Sequence, residues 1–97
     1  MNTPRTLDGA RTVCIASIGE HQHHTGLTRH FKHGALQGAA ANLAICCYID
    51  DQDSGFYLFG CDTDWNVITD TWHESLEAAK RQARHEYENI DDAWQFL

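Results

Sequence analysis

The stretch from Phe56 to Tyr87 constrains the fold more than any other part of the chain: two strand-like runs around an acidic turn, then an amphipathic helix. The first run is Phe56-Tyr57-Leu58-Phe59-Gly60-Cys61 and the second Val67-Ile68-Thr69-Asp70-Thr71-Trp72. Successive strand side chains point to opposite faces. Phe56 and Leu58 therefore share one face, and Tyr57, Phe59 and Cys61 the other. Both faces are apolar, which predicts a central strand with the helix on one side. A single helix leaves the opposite face uncovered, and Tyr57, Phe59 and Cys61 would then form an apolar patch for a dimer or partner. Between the runs, Asp62 and Asp64 are good turn formers, and Asn66 is the residue expected to take a left-handed conformation.

Ser75 is the expected N-cap, its hydroxyl covering an amide of the first helical turn. Thr71 with Glu74 is a rival capping box that would start the helix four residues earlier. Leu76, Ala79, Ala83, Tyr87 and Ile90 fall on one stripe, and small Ala79 and Ala83 let a helix sit close to a sheet. Glu77–Arg81 and Arg84–Glu88 have the i,i+4 spacing of supporting ion pairs. Asn89 is placed to end the helix in the left-handed conformation.

Earlier in the chain, residues 1–11 are polar, carry no apolar run of the signal-peptide kind, and read as a disordered arm. Thr12 to Ile18 is rich in β-branched residues and reads as the first strand. Gly19 to Gly26 reads as a loop, Leu27 to Lys32 as a weaker strand ended by Gly34, and Ala39–Ala41 as a short helical turn. In Leu43 to Ile49, Leu43, Ile45, Cys47 and Ile49 face one way and Ala44, Cys46 and Tyr48 the other. Asp50 to Gly55 is a polar turn joining this strand to the Phe56 strand. The tail ends in Trp94, Gln95, Phe96 and Leu97, apolar enough to fold back on the core. Residues 12–97 are thus expected to form a single α+β domain, a four- to five-stranded, mostly antiparallel meander sheet with one C-terminal helix packed on one face. Its 97 residues bury roughly two thirds of their unfolded surface.

Charge narrows the partners. The net charge is −7, and residues 35–97 carry three Lys/Arg against twelve acids. Nucleic acid is not expected on such a surface, because its affinity comes largely from neutralised phosphates; a basic protein is. The longest weakly polar window, Gly38 to Ile49, falls well short of the ~20 residues that span a bilayer, so no membrane association is expected and cytoplasm is the default. Cys14, Cys46, Cys47 and Cys61 lie in strand-like runs without CxxC spacing and read as small buried hydrophobes.

Five of the seven histidines, His21, His23, His24, His30 and His33, lie within thirteen residues. Neutral imidazoles bind zinc or nickel, and a loop can gather three of them. The spacing matches no strong zinc framework, and the same density describes a solvated loop whose imidazoles gain charge through ~6.5. Asp62-x-Asp64-x-Asn66 echoes the start of a calcium loop, but Val67 stands where the sharp bend needs glycine, so a hairpin turn explains it better. No nucleophile elbow, P-loop or dinucleotide fingerprint is present, and catalysis is not expected. The helix ends with Glu86 and Glu88, followed by Asp91 and Asp92, against the dipole preference for cations there. Acid beside Trp94 suits a surface that meets a basic partner, giving Glu86, Glu88, Asp91, Asp92 and Trp94 as candidate partner-binding residues.

Gly55-Phe-Tyr-Leu-Phe-Gly-Cys-Asp62 followed by Asp70-Thr-Trp-His-Glu-Ser-Leu-Glu-Ala-Ala-Lys80 resembles a group of small uncharacterised bacterial proteins. These pair a strand-rich core with a D-T-x-H-x-S/T-L-E-x-A lead into a final helix. The likeness covers the second half of the chain and implies a fold and no functional residues; in size and acidity the chain is similar to antitoxin and immunity partners. The expected function is a protein-interaction module without catalysis or cofactor, meeting a basic protein or a second copy of itself. The alternative is a metal-binding or metal-responsive protein using the histidines of segment 21–33 for zinc or nickel.

Overall fold

The hairpin at the centre of the sequence is the centre of the fold. The computed structural model describes residues 5–7, 9–19, 31–32, 35–36, 40–48 and 55–97. Strand β1 is Thr6–Leu7, β2 Ala10–Ser17, β3 Phe31–Lys32, β4 Ala35–Leu36, β5 Asn42–Cys47, β6 Phe56–Cys61 and β7 Val67–His73. Helix α1 is Leu76–Glu86; a 3₁₀ turn, Ile90–Ala93, leads to β8, Gln95–Phe96. The main sheet runs β1-β2-β5-β6-β7, antiparallel throughout, with β8 added on β2. The chain is α+β, a meander half-barrel with one helix across it, as its pattern predicts. Among the described residues β3 and β4 pair only with each other; of the weaker strand predicted at Leu27–Lys32, Phe31–Lys32 is described and lies in this separate two-stranded sheet, and residues 27–30 lie outside the described residues.

The arm predicted at residues 1–11 needs correction over the part described. Leu7 pairs with Ala10, both are buried, and β2 already includes Arg11. Gly9, between the paired residues, takes a positive φ of +83°, the conformation a tight hairpin turn requires. Residues 1–4 lie outside the described residues. The outer edge of β2 is shared by the segments at residues 5–7 and 95–97: Thr12 N–H donates to the Arg5 carbonyl at 2.9 Å, and Leu97 N–H to the Val13 carbonyl at 3.1 Å. Val13 is the extra residue of a bulge, since Thr12 opposes Cys46 and Cys14 opposes Ile45.

Two apolar clusters form, one on each face of the sheet. On the helix side, Cys14, Leu43, Ile45 and Leu58 pack with Ala79, Ala83, Tyr87 and Ile90. Burying each large aliphatic side chain contributes about 1.5–3 kcal/mol. On the opposite side, Leu7, Ala10, Ile15, Ala44, Cys46, Phe59 and Cys61 form a second cluster. The predicted open patch therefore does not exist as drawn: Phe59 and Cys61 are buried, and only Tyr57 of the three is half-buried. Curling of the sheet packs the rings together, with Tyr57 edge-on to Tyr48 at 5.4 Å and stacked on Phe59 at 5.9 Å.

Helix α1 starts as predicted. Ser75 Oγ accepts the Ala78 N–H at 3.0 Å, and the rival start fails because β7 runs on to His73. The end differs in detail: Tyr87 is already extended, and Asn89, at φ 59°, turns the chain two residues later into the 3₁₀ segment. The predicted i,i+4 ion pairs are replaced by one bridge. Arg84 reaches Glu77 at 2.9 Å and Asp91 at 3.2 Å, seven residues away on either side. The long guanidinium spans two turns back and meets the acid of the 3₁₀ segment ahead, which a helix-only argument does not include. Cys14, Cys46 and Cys61 are buried and Cys47 half-buried, all as free thiols. Burial pushes the Cys14 thiol up to about 11, Lys80 opposing it.

Candidate interaction edge

β7 is the last strand of the sheet, and among the described residues nothing pairs with its outer edge. An open edge presents a row of backbone N–H and C=O groups to any extended segment that meets it. Side-chain alternation sorts β7 into two faces. Thr69, Thr71 and His73 lie opposite Gly60, Leu58 and Phe56, towards the helix; Asp70 and Trp72 lie opposite Phe59 and Tyr57. Ile68 is an extra residue where Gly60 pairs with Thr69 but Cys61 with Val67, and it packs on the helix-side core.

The exposed residues at this edge are Asp70, Trp72 and, just past the strand, Glu74. Trp72 is 54% exposed, an unusual position for so large an apolar ring. Gly55 makes its placement possible. A Cβ there would come within 2.8 Å of the indole Nε1 and would strike the His73 carbonyl, so only glycine, at φ +80°, lets the ring lie over the backbone. No ion pair engages Asp70 or Glu74 among the described residues. The stripe is acid, indole, acid.

Behind the stripe, a polar group ties β7 to α1. Thr71 Oγ1 and His73 Nε2 are 2.7 Å apart. Burial lowers the His73 pKa, and the Glu86 charge works against that. Glu86 is buried and accepts from Gln82 Nε2 at 3.0 Å. A histidine near a carboxylate is a component of acid–base sites; here the group is packed between strand and helix.

The turn before β7 spends its carboxylate internally. Asp62 Oδ1 accepts the N–H groups of Asp64 and Asn66, each at 2.9 Å, and Oδ2 accepts Asn66 Nδ2 at 3.0 Å. The Asn66 side chain, followed by these backbone donors, lowers the Asp62 pKa. This is the hairpin turn that the sequence predicts in preference to a calcium loop. Trp65, at φ 65°, takes the left-handed position that was expected of Asn66.

The acidic candidates do not all share one surface. Glu88, Asp91 and Asp92 are exposed, with Asp91 bound to Arg84. Glu86 is buried, and Trp94 is half-buried against the helix-side core, its indole N–H enclosed without an acceptor among the described residues. Of the metal candidates, His21, His23, His24, His30 and His33 lie outside the described residues. Within the described residues no group of three His, Cys, Asp or Glu is placed to hold a metal ion. Sequence reasoning passed over the Asp70–Trp72–Glu74 stripe. Its signal was an acid, a tryptophan and an acid at alternate positions along and just past the last strand before the helix.

No protein-family model, no curated protein and no solved structure matches this chain. No helix among the described residues is long and apolar enough to cross a membrane.

Proposed function

We propose that this protein is a binding module that works without catalysis, adding an extended basic segment of another protein to the open edge of β7. Trp72 carries the reading: a half-exposed indole on a strand whose outer edge has no partner among the described residues, flanked by Asp70 and Glu74. Strand addition supplies main-chain hydrogen bonds, and side chains at alternate positions supply specificity. A lysine or arginine on the incoming strand is recognised by the indole face and by the carboxylates. The net charge of −7 favours encounter with such a segment. It also disfavours a second copy at the same edge, where Asp70 would approach Asp70.

The test is titration of an alternating Lys-Val hexapeptide, with an alternating Glu-Val peptide as control, followed by tryptophan fluorescence and calorimetry. The Lys peptide binds, and added salt weakens it as exposed charges require. Trp72→Ala weakens it by about tenfold or more, the scale of an aromatic anchor. Equal binding of both peptides, or an unchanged affinity in Trp72→Ala, refutes the reading.

A further inference from the structure

Where the segments at residues 5–7 and 95–97 meet on β2, the structure leaves a cleft of about 700 Å³, lined by Arg5, Thr6, Arg11, Thr12, Val13, Phe96 and Leu97. We propose that this cleft binds a small organic acid, a carboxylate head on a short apolar body. Three observations lead there.

The first is size, which falls in the 300–1,000 Å³ range of small-molecule sites. The second is charge. Arg5 and Arg11 are two of only seven Lys/Arg in a chain with fourteen acids, yet they line one cleft whose described lining holds no Asp or Glu. Among the described residues neither guanidinium meets a carboxylate; the contact of Arg11 is the weak acceptor Cys47 Sγ, at 3.7 Å. Two arginines with no Asp or Glu side chain in ion-pair contact among the described residues are a site for an anion from outside, and the planar fork of guanidinium matches a carboxylate best.

The third is the opposite wall. Phe96 and Leu97 are 57% and 61% exposed and adjoin Val13, so the cleft has an apolar side as well as a cationic one. Lys80 lies over the Phe96 ring at 4.7 Å and fixes its position at the rim. The bulge at Val13 brings these features together by interrupting the regular pairing of β2 where β1 ends and β8 begins. A head group between the guanidiniums and a body along Phe96 and Leu97 satisfy both walls at once.

Octanoate is the probe, with 1-octanol and inorganic phosphate as partial mimics, each titrated into the full chain and followed by amide chemical shifts and calorimetry. Octanoate is expected to shift the Thr12, Val13 and Leu97 amides and to bind better than either partial mimic. The double variant Arg5→Gln/Arg11→Gln is expected to weaken octanoate at least about tenfold, leaving octanol unchanged, with the far-ultraviolet spectrum retained because both side chains are exposed. Octanoate binding that survives the double variant, shifts confined to other parts of the sheet, or no binding at all overturns the proposal. Phosphate binding as tightly as octanoate overturns the apolar half of it. The site is independent of the β7 edge: Trp72→Ala should leave octanoate binding intact.

Discussion

The Tyr87 hydroxyl accepts the backbone N–H of Ala40 at 2.8 Å, a buried bond that joins the end of α1 to the segment leading into β5. Forty-seven residues separate the two groups in the chain, so the bond forms only when helix and sheet are docked. Burial, the largest influence, raises the phenol pKa, which keeps the hydroxyl neutral. Tyr87→Phe retains the ring in the core but strands the amide. It should destabilise the protein by about 1–3 kcal/mol, the cost of an unsatisfied buried donor, read as a lower midpoint in urea with an unchanged slope.

Gly60 faces Thr69 across the β6–β7 pair, and a Cβ at Gly60 would collide with the Thr69 hydroxyl and crowd the Ala40 methyl at 3.3 Å. Gly60→Ala should cost about 1–3 kcal/mol by overpacking. The double variant Gly60→Ala/Thr69→Ala should recover much of that loss in the same denaturation experiment, because the colliding oxygen is gone.

His73 sets a pH dependence whose sign follows from its depressed pKa. The unfolded chain takes up a proton at the ordinary value of 6.5 while the folded protein resists it. The stabilising contribution is therefore whole above that value and is lost as pH falls through it towards the folded-state value. Thermal midpoints measured on either side of this window should fall more steeply in the wild type than in His73→Gln. Identical profiles would remove His73 from the account.

Asp62 acts at lower pH and in the same sense, its carboxylate being held below its ordinary 3.8 by the Asn66 side chain and the turn amides. Its contribution is present above 3.8 and is lost as acid protonates the folded carboxylate. Asp62→Ala should lower the thermal midpoint at neutral pH and flatten the acid limb of the stability curve. Added calcium should change neither protein, since both carboxylate oxygens already serve the turn.

Local rules read the helix well. Ser75 with the Ala79–Ala83–Tyr87–Ile90 stripe fixed the start of α1 and its buried face, because cap chemistry and period depend on neighbours within a turn or two. The alternation in β5 and β6 placed Cys46 and Cys47 on opposite faces for the same reason. What escaped depends on distant partners. Thr6 and Leu7 belong to the sheet because β2 offers an edge, although the Asp8-Gly9 signal was present in the sequence and passed over. β8 is strand only because Cys14 and Ile15 lie beside it. Arg84 chose Asp91 over Glu88 because the chain turns at Asn89. Glu86, read as surface acid, is buried beside Gln82 once the helix docks on β7. Trp72 stood out in the sequence only as a strand residue; its exposure at an open edge follows from strand order.

The most direct test of the β7 edge is amide hydrogen exchange, residue by residue along Val67–His73, with and without the Lys-Val peptide. In the protein alone, alternate amides of β7 should exchange fast, because every second N–H of an unpaired edge strand points outward. With the peptide bound, those amides should slow while the inward ones, already paired with β6, stay as they were. Uniformly slow exchange in the protein alone, or no change on adding peptide, would contradict the claim that this edge is where the protein meets its partner.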